Sequence, residues 1–157
     1  MTADPTTALR DFKRECLLDE HRSLSSFVEK EIVMTTVTKM VTILAWLLGV
    51  MVAARSDDSA ALLPPVAIAV LAFWSVDALY AYYGVIYKMR RLRVREWLEL
   101  LPRANETELA ACRTPANPFD GLSRDEKLGA LTSTVASPAV SGLYLALLLL
   151  LLLQLAL

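Results

Sequence analysis

The sequence has 157 residues, 55% of them hydrophobic and 21% charged, with a formal net charge of −1 at pH 7. A mean hydropathy of +0.44, with the apolar residues blocked into long runs, excludes an ordinary soluble domain. Two distant cysteines and a single histidine exclude a disulfide framework and a multi-histidine metal site, and the length suits one structural unit.

Residues 1–32 are expected to form a cytoplasmic amphipathic helix. Asp4 suits an N-cap, and Pro5 suits the first helical position, where a missing N–H costs nothing. No apolar segment opens the chain, so no cleaved signal peptide is expected. Leu9, Phe12, Cys16, Leu17, Leu24, Phe27 and Val28 recur at helical spacing, with a weak patch over 19–23. Charges of both signs lie between them, as on a solvated face. Packing of this helix on neighbouring subunits is the expectation.

Residues 33–101 read as a transmembrane hairpin with a basic cytoplasmic extension. The first span covers about 33–54, close to the ~20 residues needed to cross the hydrocarbon. Its inner half is polar: Thr35, Thr36, Thr38, Lys39 and Thr42. Threonine hydroxyls can bond back to the previous turn, so a span tolerates them. Lys39 reads as a snorkelling side chain or as a pore or ligand residue. A short polar turn, 55–59, leads into a second span from about Ala60 to Tyr87, with Pro64-Pro65 expected in its first turn. The same helix should continue into water through Lys88, Arg90, Arg91, Arg93 and Arg95, until Pro102 stops it.

Residues 102–137 are expected to be a cytoplasmic loop with two short helices, each opened by a capping box, Asn105-x-x-Glu108 and Ser123-x-x-Glu126. Turn chemistry separates them over 114–121. Leu128, Leu131 and Val135 mark an apolar stripe for an interfacial or packed helix. Ser137-Pro138 opens the third span, 138–157, which is apolar all round apart from Gln154. A leucine surface gives little packing specificity, so this span is expected at the periphery.

Fifteen of the sixteen Lys and Arg residues lie in residues 1–39 and 88–137; only Arg55 lies elsewhere. The positive-inside bias therefore puts both segments in the cytoplasm, and the 55–59 turn and C-terminus outside.

Asp77 is the most informative residue. An acid in mid-span costs about 2.5–3.5 kcal/mol, so it should face protein or water. It either lines a pore or accepts hydrogen bonds that hold helices together. Phe73, Asp77, Tyr80, Gly84 and Tyr87 share its face, with Gly84 permitting close approach of another helix. Lys39, Asp77 and Tyr80 are thus the candidate pore or inter-helix polar residues. The basic run is either a topology signal against anionic lipid or a phosphate-binding surface made of Lys88, Arg90, Arg91, Arg93 and Arg95. No nucleophile–base constellation, phosphate loop or metal motif occurs, so no enzyme, metal or cofactor is expected.

Phe73-Trp74-x-x-Asp77-Ala78-x-Tyr80, the basic helix after it, Asn117-Pro118-Phe119 and the span after Ser137-Pro138 resemble small bacterial three-span proteins of nucleotide-signalling anti-phage defence operons. The membrane effector of Hailong-type systems is the group they resemble. The resemblance implies an oligomeric ion channel held closed by DNA oligomers that a partner nucleotidyltransferase makes. It implies Asp77 as a pore or inter-helix residue and Lys88, Arg91 and Arg95 as the first contacts for ligand phosphates. The basic run departs from the pattern of such proteins in having no acid before Glu96. The expectation is an all-α integral membrane protein with three transmembrane helices per chain, assembled as a homo-oligomer such as a tetramer. Its function would be a membrane-depolarising channel, or else a membrane anchor or scaffold for a cytoplasmic partner.

Overall fold

The computed structural model describes residues 5–56, 59–112, 119–120 and 122–156. Asp4, Asn117 and Pro118, which carried sequence expectations, lie outside them. Among the described residues the fold has five helices: α1 (Pro5–Ala53), α2 (Ser59–Leu100), α3 (Glu106–Ala111), α4 (Arg124–Ala136) and α5 (Pro138–Ala156), with a 3-10 turn at Leu101–Arg103. Among the described residues there is no strand. Two helices, α1 and α2, are long and apolar enough to cross a membrane. The pair α4 and α5, bent by 44° at Ser137, supplies a third candidate.

The long helices follow from length. At 1.5 Å per residue α1 reaches about 73 Å and α2 about 63 Å, against a hydrocarbon thickness of about 30 Å. Each can therefore hold an apolar stretch and a charged one. α1 runs unbroken from Pro5 to Ala53, so the two expected segments share one continuous helix through the weak patch at 19–23. Pro64 and Pro65 fall in the second turn of α2, because the helix begins at Ser59. There each removes an intrahelical bond, and both rings are exposed.

α1 and α2 form an antiparallel hairpin whose contacts run in opposite directions along the two helices. Gly49 meets Val66, Glu31 meets Gly84, and Leu17 and Leu24 share a cluster with Val94 and Leu101. A Cβ on Gly49 would lie 2.4 Å from Val66 Cγ2, so only glycine permits this approach. Of the apolar residues expected to pack in this segment, Leu17, Leu24 and Val28 are buried within the chain, while Leu9, Phe12 and Phe27 stay exposed.

The cluster around Leu17 also takes in Ala104, Leu109 and Cys112, with Trp97 and Leu98 packed against it. Two cations of α1 reach the same region. Arg10 donates to the Ala104 carbonyl at 3.2 Å, and Lys13 to the Cys112 carbonyl at 2.6 Å. Lys13 therefore sits at the C-terminus of α3, where a cation complements the free carbonyls. Both expected capping boxes form. Asn105 Oδ1 accepts from Glu108 N at 2.9 Å, and Ser123 Oγ from Glu126 N at 3.2 Å, each with the reciprocal bond.

Leu128, Leu131 and Val135 of α4 face outward, as an interfacial stripe does, and its packed positions are the smaller Ala130 and Thr134. One expectation changes. The third span is less peripheral than a leucine run suggests. α5 buries Val140, Ser141, Tyr144, Leu147 and Leu151 along one stripe, against Val70 and Leu63 of α2 and Ala53 of α1.

Leu109 is fully buried where α1, α2 and α3 meet, so Leu109→Ala should lower stability by about 2–5 kcal/mol. Chemical unfolding in detergent, followed by Trp97 fluorescence, checks this. The solvent-exposed Leu92→Ala serves as the neutral comparison.

Candidate functional site

α1 carries a polar stripe at four-residue intervals, Glu31, Thr35 and Lys39, with Thr42 beside it. The threonines bond back along the helix as expected. Thr35 donates to the Glu31 carbonyl at 3.1 Å, Thr38 to Met34 at 2.8 Å and Thr42 to Thr38 at 2.7 Å. Their hydroxyls are thereby satisfied inside an apolar stretch, which leaves the two charged side chains to find partners on other helices.

Lys39 finds two. Its ammonium lies 3.6 Å from Asp77 Oδ2 on α2 and donates to the Ala139 carbonyl of α5 at 2.7 Å. Asp77 is completely buried, whereas the Lys39 side chain keeps 29% of its surface exposed. From α5, the fully buried Tyr144 faces both Asp77 and Thr42. Its hydroxyl and both Asp77 oxygens stop short of hydrogen-bond geometry. One lysine thus joins α1, α2 and the start of α5, and a buried carboxylate is held by charge with few hydrogen bonds.

About two turns nearer the charged ends, Glu31 occupies the space above Gly84. A Cβ there would lie 2.4 Å from the Glu31 carboxyl carbon. Glu31 also lies 3.7 Å from the Lys88 ammonium. Gly84 therefore makes room for a carboxylate rather than for a helix backbone. Glu31, Thr35, Lys39 and Lys88 line a cavity of about 310 Å³, together with Ser133, Ser137 and Ala139 at the α4–α5 bend.

The tyrosines divide between two places. Tyr80, Tyr83 and Tyr87 line a second groove with Phe27 and Met34, which shares Glu31 with the cavity. Tyr87 stacks on Phe27 at 5.2 Å, and Tyr83 meets Phe119 edge-on at 5.5 Å. Lys39 and Asp77 are thus brought together, while Tyr80 belongs to the groove.

The basic run is sorted by its partners. Arg90 is buried and forms two bonds to Glu20 of α1, at 2.7 and 3.3 Å. Arg93 pairs with Glu126 of α4. Ser123 and Arg93 together hold the Glu126 carboxyl below its usual range, the backbone N–H of Ser123 contributing most. Lys88 keeps 48% of its side chain exposed beside Glu31, and Arg95 keeps 70% beside Glu99. Arg91 has no ion pair among the described residues and is half-buried. Arg90 and Arg93 thus fasten helices together, and Lys88, Arg91 and Arg95 form the accessible cationic surface.

Sequence reasoning missed Tyr144, Glu31, Glu20 and Glu126 as partners. Tyr144 carried a signal as the one aromatic in a leucine run, and Glu31 as the acid eight residues before Lys39 on one helix face. Comparison with protein-family models, curated proteins and solved structures found no match to this chain.

Two measurements check these assignments. Arg90→Gln leaves Glu20 without its buried partner and should destabilise the fold by about 3–5 kcal/mol, with Arg90→Gln/Glu20→Gln recovering part of the loss in thermal melts. Burial pushes the Cys112 thiol up, so it stays protonated at neutral pH. Iodoacetamide should modify the half-buried Cys16 in the folded protein and reach Cys112 only after unfolding, as read by peptide mass spectrometry.

Proposed function

We propose that the chain is a three-span protein of the bacterial inner membrane, with its N-terminus and residues 88–137 in the cytoplasm and its C-terminus outside. It assembles as a homo-oligomer, such as a tetramer, and acts as an ion channel that depolarises the cell during anti-phage defence. A nucleotide or DNA oligomer made by a partner nucleotidyltransferase gates it.

The observation that carries this reading is the Lys39–Asp77 pair inside helices otherwise suited to lipid. Each charge costs about 2.5–3.5 kcal/mol at mid-span, an expense out of place in a passive anchor. Three helices enclose no pathway, so conduction requires symmetry between copies. Asp77 is buried within its own protomer, which supports a part in holding the spans in one arrangement. The ligand surface narrows to Lys88, Arg91 and Arg95, since Arg90 and Arg93 are committed to Glu20 and Glu126. The exposed Arg95–Glu99 pair is worth about 0.3–0.5 kcal/mol, little enough for a phosphate to displace.

A second reading, a membrane anchor or scaffold for a cytoplasmic partner, is favoured by the same commitment of Arg90 and Arg93 to internal pairs. Reconstitution separates the two. Proteoliposomes should leak monovalent ions, and a short single-stranded DNA oligomer should change the flux; a monomer with no flux under any condition would sink the channel reading. Arg91→Gln/Arg95→Gln should weaken oligonucleotide binding and reduce its log–log salt slope by about 1.4, at about 0.7 per lost single-strand phosphate contact. Unchanged affinity would move the ligand elsewhere.

A further inference from the structure

The cavity beneath the α4–α5 bend has mixed walls, with charged and hydroxyl groups set among Ala81, Val85 and Val140. Thr35 and Lys39 come from α1, Lys88 from α2, and Ser133 and Ser137 from the bend. Its volume of about 310 Å³ is ample for several waters, each of which needs about 10–15 Å³. It reaches Lys39 and stops there. Lys39 is 29% exposed and the Asp77 behind it is 0% exposed, so the ammonium stands between the wet side and the buried carboxylate.

We propose that this cavity is a water-filled inlet that brings water and small hydrated cations from the cytoplasm towards Asp77, with the Lys39 ammonium as its gate. The inlet deepens the channel reading by naming an entry route, and its cytoplasmic side rests on the orientation given above. Three features support it. Both Asp77 oxygens lack hydrogen-bond partners, a costly state that entering water relieves. Glu31 also has a buried oxygen without a hydrogen-bond partner, 3.7 Å from the Lys88 ammonium, which water in the cavity can satisfy. The gate is held by only two contacts, to Asp77 at 3.6 Å and to the Ala139 carbonyl at 2.7 Å. With Lys39 neutralised, two carboxylates face Lys88 alone, and the inlet favours cations.

Cysteine labelling tests the inlet. Single cysteines are placed in a Cys16→Ser background of the full chain, Cys112 being buried at 1% exposure. Sealed inside-out membrane vesicles are treated with a trimethylammonium methanethiosulfonate. Thr35→Cys, Ser137→Cys and Lys39→Cys should be labelled, while Leu44→Cys, which is 59% exposed on a lipid-suited face, should not. Ser26→Cys, on the exposed face of residues 1–32, reports orientation separately. If Ser26→Cys is labelled but Thr35→Cys and Ser137→Cys are as inert as Leu44→Cys, the inlet is refuted. If all three react only in vesicles of the opposite sidedness, the orientation falls and the inlet stands. For the gate, the native Asp77 carboxyl is probed with a water-soluble carbodiimide and glycine ethyl ester, and its modification is read by mass spectrometry. Modification should rise from near zero in the wild type in both Lys39→Met and Lys39→Gln; no rise in either variant overturns the gating role.

Discussion

A lysine and an aspartate 3.6 Å apart, between helices whose remaining surface suits lipid, constrain how the whole chain packs. Neither charge is tolerable alone at that depth. Pairing fixes the register of α1 against α2, and the bond from Lys39 to the Ala139 carbonyl fixes where α5 begins. Apolar packing supplies most of the contact area, but leucine and valine surfaces slide with little penalty. The pair and the two close approaches, Gly49 on Val66 and Gly84 on Glu31, remove that freedom.

A second set of charges repeats the device outside the apolar stretch. Arg90 with Glu20 ties α2 to α1, and Arg93 with Glu126 ties α2 to α4. Glu126 also closes the capping box of α4, so one carboxylate both starts that helix and anchors it. The fold thus has two levels of ionic cross-bracing along α2, with the Glu31–Lys88 pair and the polar cavity between them. A ligand that draws Lys88, Arg91 and Arg95 towards its phosphates acts on the same helix that carries Asp77, about three to five turns away. That continuity is the physical basis for coupling the proposed ligand surface to the membrane.

Much of the architecture is legible in the sequence because it follows from local signals. Hydropathy gives the apolar stretches, Ser137-Pro138 gives the start of α5, and the two capping boxes give α3 and α4. Asp77 and Lys39 stand out because charge is rare in such segments. That they face each other cannot be read locally, since the partners lie 38 residues apart on different helices. The same holds for Glu20 and Arg90. Charges on 1–32 look like a solvated face until α2 is laid against them. Tyr144 was hidden for a different reason: a run of leucines suggests a featureless lipid-facing helix, and one aromatic in it carries little weight by period alone. The outward turn of Leu128, Leu131 and Val135 shows the same limit, because an apolar stripe does not say whether protein or membrane covers it.

The central claim is that Lys39 and Asp77 act as one latch between the spans, and a double-mutant cycle tests it most directly. Lys39→Met, Asp77→Asn and the double variant are compared by unfolding in bicelles. Each single change should be strongly destabilising, and the double variant should lose much less than the sum, with a coupling of about 0.5–3 kcal/mol. Strictly additive losses would mean that the two charges are held independently and would contradict the latch.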